Sequence, residues 1–178
     1  METLKAEQNT LRKMFLRAVI TLLCAAPTFA QTVQDNLPAT RAVKPSPLRL
    51  ADPKLFEAGK AVYNLTCIAC HRAHGLGEEG LAPPLVDSEW IAGNGQRLVR
   101  IVLNGLRGPL LVKERKYDLD MPALGVLEDQ QIADVLTYVR NEWGHEFPPV
   151  KAELVKGLRA QFGSREDAWT QDELLKVR

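Results

Sequence analysis

The residues with the most specific chemistry in this chain are Cys67-Ile68-Ala69-Cys70-His71. Two thiols three positions apart can reach the two vinyl groups of one haem, and the adjacent histidine then points its imidazole at the iron from the same side. That is the pattern of c-type haem attachment. Two other chemistries use paired cysteines. A dithiol redox site should follow a strand in a βαβ pattern, which the periodicity does not show, and it has no need of the histidine. A structural zinc site needs four ligands, and no second cysteine pair exists to supply them. Haem c, one group held covalently by Cys67 and Cys70 and ligated by His71, is therefore the expected cofactor.

A haem that only carries electrons usually fills its sixth iron position, with methionine, histidine or lysine. The methionines are Met1, Met14 and Met121, and the first two fall in a segment expected to be removed. Met121 is thus the candidate axial ligand. Pro122 fixes the backbone beside it, and 50 residues separate it from His71, enough chain to wrap to the other haem face. The plainer role for Met121 is core filler. His74 lies too close to His71 on the same side of the ring. His145 follows a helix stop, where as a cation it would cap the negative helix end. Trp90 is read either as an indole donor to a haem propionate or as an aromatic lid. Arg97, Arg100 and Arg107 are candidates to steady propionates or a docking partner, though a solvated helix face is the commoner role. Lys113, Arg115 and Lys116 form a small basic cluster, tempered by Glu114, Asp118 and Asp120, of a kind that can steer a redox partner.

The elements that must position these groups are helical. Asp52-Pro53 reads as an N-cap followed by proline at the first helical position, with Leu55, Ala58, Val62 and Leu65 marking one face of a helix that ends near the cysteines. Residues 72–95 hold five glycines and Pro83-Pro84, which predicts loop. A second helix is expected over Arg97–Leu103, stopped by Gly105, Gly108 and Pro109. Residues 110–117 form a small hairpin or a loop. A third helix is expected over 128–143, with Ile132, Val135, Leu136, Val139 and Trp143 on one face and Gly144 as its stop. After Pro148-Pro149, a helix over 151–162 and a capping box at Thr170 and Glu173 follow; Val150, Leu154, Leu158 and Phe162 give that helix an apolar face to dock on the domain or on a partner, the domain being the expected choice. The fold class is all-α, with three to five helices around one haem.

Residues 1–30 read as a secretory signal: Arg12, Lys13 and Arg17 precede an apolar run, Ala18–Ala26, and Thr28-Phe29-Ala30 is a small-x-small cleavage site. The run is shorter than the roughly 20 residues a bilayer requires, so no membrane span is expected in the mature chain. Leu23 stands where a lipobox needs a small residue, which argues against lipidation at Cys24; Met14 is an alternative start. Residues 31–51, with Pro38, Pro45 and Pro47, read as a disordered linker. The expected organisation is a signal (1–30), a linker (31–51), a haem domain (52–147) and a helical C-terminal extension (148–178). Of 23 basic and 22 acidic residues, the signal takes Lys5, Arg12, Lys13 and Arg17 against Glu2 and Glu7. The near-neutral remainder gives no sign of a nucleic-acid partner.

Cys-x-x-Cys-His, then Gly-Leu-Ala-Pro-Pro-Leu (80–85), then Met121-Pro122 and a final amphipathic helix bearing Tyr138 together resemble a class I, mitochondrial-type cytochrome c over residues 53–144. The resemblance implies the cytochrome c fold, with the helix of Gly59 and Tyr63 crossing that of Tyr138. It also implies that the Pro83 carbonyl accepts the proton of His71, fixing the tautomer. Two departures stand out: Glu128 takes the place of Ser or Thr at the last helix cap, and 107–119 is longer and more charged than usual. The run Trp90–Met121 is similar to cytochrome modules beside or fused to periplasmic dehydrogenases. The expected function is a periplasmic single-electron carrier rather than an enzyme, with redox-protein donor and acceptor such as a periplasmic dehydrogenase or terminal oxidase. The alternatives are a haem enzyme or gas sensor with a labile sixth ligand, and a zinc-bound interaction module.

Overall fold

The computed structural model describes residues 46–48, 52–118 and 120–177. The segments expected to be a signal and, for the most part, a linker lie outside the described residues. α1 spans Pro53–Thr66, opened by the Asp52 side chain, whose Oδ1 accepts from Leu55 N–H at 3.0 Å. Its buried residues are Phe56, Gly59 and Tyr63, so the inward face lies about one residue round from the expected Leu55, Ala58, Val62 and Leu65. Leu65 is 85% exposed. Aromatic packing sets the rotation: Phe56 and Tyr63 both lie edge-on or tilted to Tyr138, with ring centroids 5.0 and 5.3 Å apart.

α2 (Ile68–His71) follows at once. Part of the stretch expected to be loop is helical: α3 (Glu89–Ala92) buries Trp90 and Ile91, and Ser88 caps it by accepting from Trp90 N–H at 3.3 Å. α4 spans Gly95–Asn104, starting two residues before expectation because Asn94 Oδ1 accepts from Gln96 N–H at 2.8 Å. β1 (Pro109–Val112) and β2 (Arg115–Asp118) pair antiparallel, Leu110 against Tyr117 and Val112 against Arg115. The open choice at 110–117 thus resolves as a hairpin. Lys113 and Glu114 make its two-residue turn with φ of 50° and 64°, the doubly left-handed geometry that matches strand twist. Alternation sends Leu110 and Val112 inward.

α5 (Asp129–Val139) is shorter than expected, and the one-face reading fails: every residue from Ile132 to Val139 is buried. The extension is the reason. α6 (Ala152–Phe162) packs against α4 and α5 while α1 crosses α5 from elsewhere, so beyond its first turn α5 has no solvent side. Its polar residues are satisfied in place: Thr137 Oγ1 accepts from Val150 N–H at 2.9 Å, and Asp134 accepts from Gln130 at 2.7 Å. At its start, Glu128 and Gln131 form a capping box: the Glu128 side chain faces the Gln131 N–H in place of Ser or Thr, and Glu128 N–H donates to Gln131 Oε1 at 2.9 Å. α7 (Gln171–Leu175) begins in the capping box of Thr170 and Glu173.

Where α1 crosses α5, the chains touch at Gly59. A Cβ there would overlap the Asp134 carbonyl oxygen and stand 2.7 Å from Tyr138 Cβ. Backbone cannot yield as a side chain can, so the helices would have to separate. Gly59→Ala is expected to destabilise the protein by about 3 kcal/mol, the upper end of the usual range for overpacked core sites. Denaturant midpoints of haem-loaded parent and variant measure this; equal midpoints would show that the crossing tolerates a methyl group.

Candidate functional site

Cys67 closes α1 and opens α2. Its N–H donates to Tyr63 O at 2.9 Å, and its carbonyl accepts from Cys70 N–H at 3.2 Å and His71 N–H at 2.9 Å. Both thiols and the imidazole are therefore set on one short turn, with Cys67 half-buried, Cys70 exposed and no disulfide between them. Burial pushes the Cys67 thiol above its ordinary pKa, opposed by the Thr66 hydroxyl at 3.4 Å.

Arg72, at φ 62°, breaks the helix. The loop beyond folds back on itself: Gly75 O accepts from Leu85 N–H at 2.7 Å, and Gly77 N–H donates to His71 O at 3.1 Å. Gly77 lies at φ 67°, and a Cβ there would overlap the Ala82 carbonyl and stand 2.6 Å from Pro83 O. Only glycine permits that approach. It leaves the Pro83 carbonyl 3.1 Å from His71 Nδ1. A carbonyl can only accept, so Nδ1 carries the proton and Nε2 keeps a free lone pair. Burial lowers the His71 pKa and the Pro83 bond opposes that shift. The result is a neutral imidazole whose Nε2 is left with a lone pair that could ligate a metal.

Met121 arrives from another direction. It exchanges two backbone hydrogen bonds with Leu106, just past the end of α4, at 2.8 and 3.0 Å, and Leu124 N–H donates to Val102 O at 2.8 Å. Met121 and His71 line one apolar cavity, open at its mouth, of the concave and mostly apolar kind that cofactors occupy. Its walls include Leu98 and Val102 of α4, Val135 and Val139 of α5, and Leu110 and Val112 of β1. Among the described residues its lining holds one hydroxyl, Ser88, and no carboxylate, lysine or arginine. Cys67 lines the same cavity, and Cys70 lines an adjoining one that shares His71 and Met121.

A haem suits this arrangement. Two unpaired thiols stand at the edge, a neutral imidazole and a thioether both reach inside, and the apolar walls match a large hydrophobic ring. The zinc reading loses ground: among the described residues no three of His, Cys, Asp and Glu gather as a metal cage.

Other candidates are committed elsewhere. Trp90 lines the cavity, but its single N–H donates to Leu111 O at 2.8 Å, which corrects the reading of it as a propionate donor and leaves it a wall. His145 is buried, with Nδ1 3.1 Å from Val139 O and Nε2 accepting from Asp87 N–H at 3.0 Å. It does cap α5, but that bonding pattern is of a neutral ring, not the expected cation. His74 accepts from Leu76 N–H at 3.2 Å. Arg97 donates to Leu174 O, Arg100 to Gln96 O, and Arg107 pairs with Asp167, so none lines the cavity. In the basic cluster, Arg115 pairs with Glu79 and Lys113 N–H donates to the Glu89 carboxylate. The hairpin's contribution to the cavity wall was missed from sequence, although the alternation of Leu110 and Val112 before a two-residue turn was its signal.

Comparison with known proteins agrees with this geometry. The Cytochrome c family model matches residues 56–143. The chain is 37% identical over 123 residues to Cytochrome c-552 of Thermus thermophilus, an alignment covering 64% of this chain and 83% of that protein. The chain belongs to the cytochrome c family. It is also 27% identical over 162 residues to the Fructose dehydrogenase cytochrome subunit of Gluconobacter japonicus, covering 82% of this chain but 32% of that subunit. A Cbb3-type cytochrome c oxidase subunit CcoP of Azospirillum brasilense is 33% identical over 102 residues, which is 54% of this chain and 31% of that subunit.

As a cytochrome c, the protein binds haem c covalently and carries electrons between redox partners; it is a carrier rather than a catalyst. The haem supplies the one-electron couple. The chain's residues supply the rest: apolar walls from α4, α5 and β1 exclude water, and the Pro83 carbonyl holds the His71 proton on Nδ1. Among the described residues, no helix is long and apolar enough to cross a membrane.

Proposed function

We propose that this cytochrome is exported to the periplasm after cleavage behind Ala30, and that Cys67 and Cys70 attach its haem while His71 and Met121 ligate the iron. The observation that carries the ligand set is that His71 and Met121, 50 residues apart in sequence, line the same apolar cavity with the thiols at its edge. A closed pair of protein ligands suits a carrier, because the coordination shell changes little on reduction, and it argues against a gas sensor or haem enzyme. Its donor and acceptor are of the dehydrogenase and oxidase class, a reading supported by relatives named as a fructose dehydrogenase cytochrome subunit and an oxidase subunit. The mature chain is then a domain over 52–147 with the extension 148–178 laid on it.

Intact mass and a reduced-minus-oxidised spectrum of the exported protein test the proposal together. The expected mass is the chain from Gln31 plus one haem, and a redox titration should follow a single one-electron curve. A mass retaining residues 1–30 would overturn the export reading. A spectrum of high-spin, ligand-accessible iron would overturn closed ligation.

A further inference from the structure

The C-terminal extension grips the chain on both sides of Met121. Arg159 of α6 reaches over the segment that follows the methionine: its guanidinium donates to Gly125 O at 2.5 Å, to Leu127 O at 2.6 Å and to Asp129 Oδ1 at 2.7 Å. Its salt bridge to Asp129 is about 30% exposed at both partners. On the other side, Trp169 holds the strand that Met121 pairs with. Trp169 N–H donates to Gly105 O at 3.1 Å, its carbonyl accepts from Arg107 N–H at 2.8 Å, and its indole donates to Asn104 at 3.3 Å. Leu106 thus lies between two partners, Met121 on one edge and Trp169 on the other. Neither Arg159 nor Trp169 falls within the part of the chain that matches the family model, which ends at 143.

We infer that Arg159 is a positioning residue for the sixth ligand, clamping residues 125–129 so that Met121 stays at the iron. This rests on the proposed ligation by Met121. The reasoning is energetic. The two carbonyls at Gly125 and Leu127 belong to an irregular loop with no sheet or helix ladder to hold it, so a charged three-way donor is worth more there than on a regular element. Any excursion that carries Met121 away while dragging residues 122–128 breaks these bonds, and the clamp is therefore paid back only in the closed state. Arg159 lies outside the cavity lining, so its effect must pass through the loop.

The experiment compares haem-loaded Arg159→Met, Leu158→Ala and Met121→Ala with the parent, reading carbon monoxide binding to ferrous protein, the melting midpoint and the redox potential. Leu158 is buried on the same helix but makes no hydrogen bond to the loop through its side chain. Arg159→Met keeps the aliphatic stem and removes the donors, so it should raise the rate of carbon monoxide binding about tenfold or more and lower the potential. Leu158→Ala should lower the melting midpoint at least as much while carbon monoxide binding stays near the parental rate. If Arg159→Met binds carbon monoxide no faster than the parent although Met121→Ala does, the clamp is wrong and the ligand assignment stands. Equal acceleration by Leu158→Ala also overturns it, since general loosening would then suffice. If Met121→Ala itself changes nothing, the ligation reading fails first.

Discussion

Replacing Cys67 and Cys70 together by Ala is expected to abolish covalent haem and, with it, the folded protein. Each thiol should form one thioether bond, so a single replacement leaves one anchor and a weakened attachment. Acid-acetone extraction separates the cases: haem stays with parent polypeptide, partly with either single variant, and leaves the double variant entirely. The consequence for folding follows from the cavity. Its walls come from α4, α5 and β1, and its lining is almost entirely apolar. Emptying a buried site of a single aromatic side chain costs about 3–5 kcal/mol, and a haem is larger than any side chain. Whole-domain stability is only about 5–15 kcal/mol. The double variant should therefore lose the cooperative melting transition that the parent shows by circular dichroism. Haem retained by the double variant after extraction would refute the attachment assignment.

The haem motif was legible in the sequence because its chemistry is local: two thiols and an imidazole within five residues define a site before any fold is known. The caps at Asp52 and Thr170 were legible for the same reason. What escaped depends on contacts distant in sequence. The buried face of α1 was misjudged because Phe56 and Tyr63 turn toward Tyr138, more than seventy residues away. α5 looked amphipathic because Asp134 and Thr137 are polar, yet α6 covers that side and Val150 and Gln130 satisfy both residues. A propionate is a natural partner for Trp90 in sequence, which cannot show that β1 passes beside it with the Leu111 carbonyl as acceptor. A cationic cap is the natural role for His145 in sequence, since the N–H of Asp87, 58 residues away, is invisible to local spacing. Residues 110–117, which the sequence leaves open between hairpin and loop, are the part that adds Leu110 and Val112 to the cavity wall.

Met121→Ala is expected to convert a closed carrier into a ligand binder. A thioether is a soft donor and stabilises the ferrous ion over the ferric one relative to nitrogen or oxygen ligands. Axial identity helps tune haem potentials over about 0.8 V, so losing the sulfur should lower the potential by on the order of 0.1 V or more. The vacated position should admit carbon monoxide on the reduced protein far faster than the parent does. The fold should survive, because Met121 is anchored by its backbone: its N–H and carbonyl both bond Leu106, and neither bond needs the side chain. Met121→His should restore a low-spin six-coordinate centre at a potential below the parent's, since imidazole favours the ferric state more than a thioether does. The geometry supplies the matching control. His145 is held by Val139 and Asp87 and lies outside the cavity lining, so His145→Ala should shift the melting midpoint while spectrum and potential stay near parental values. Spectroelectrochemical titration of the three variants, with carbon monoxide added at the reducing end, measures all of this at once. Were His145→Ala to open the iron and Met121→Ala to leave it closed, ligation would be bis-histidine and Met121 a packing residue.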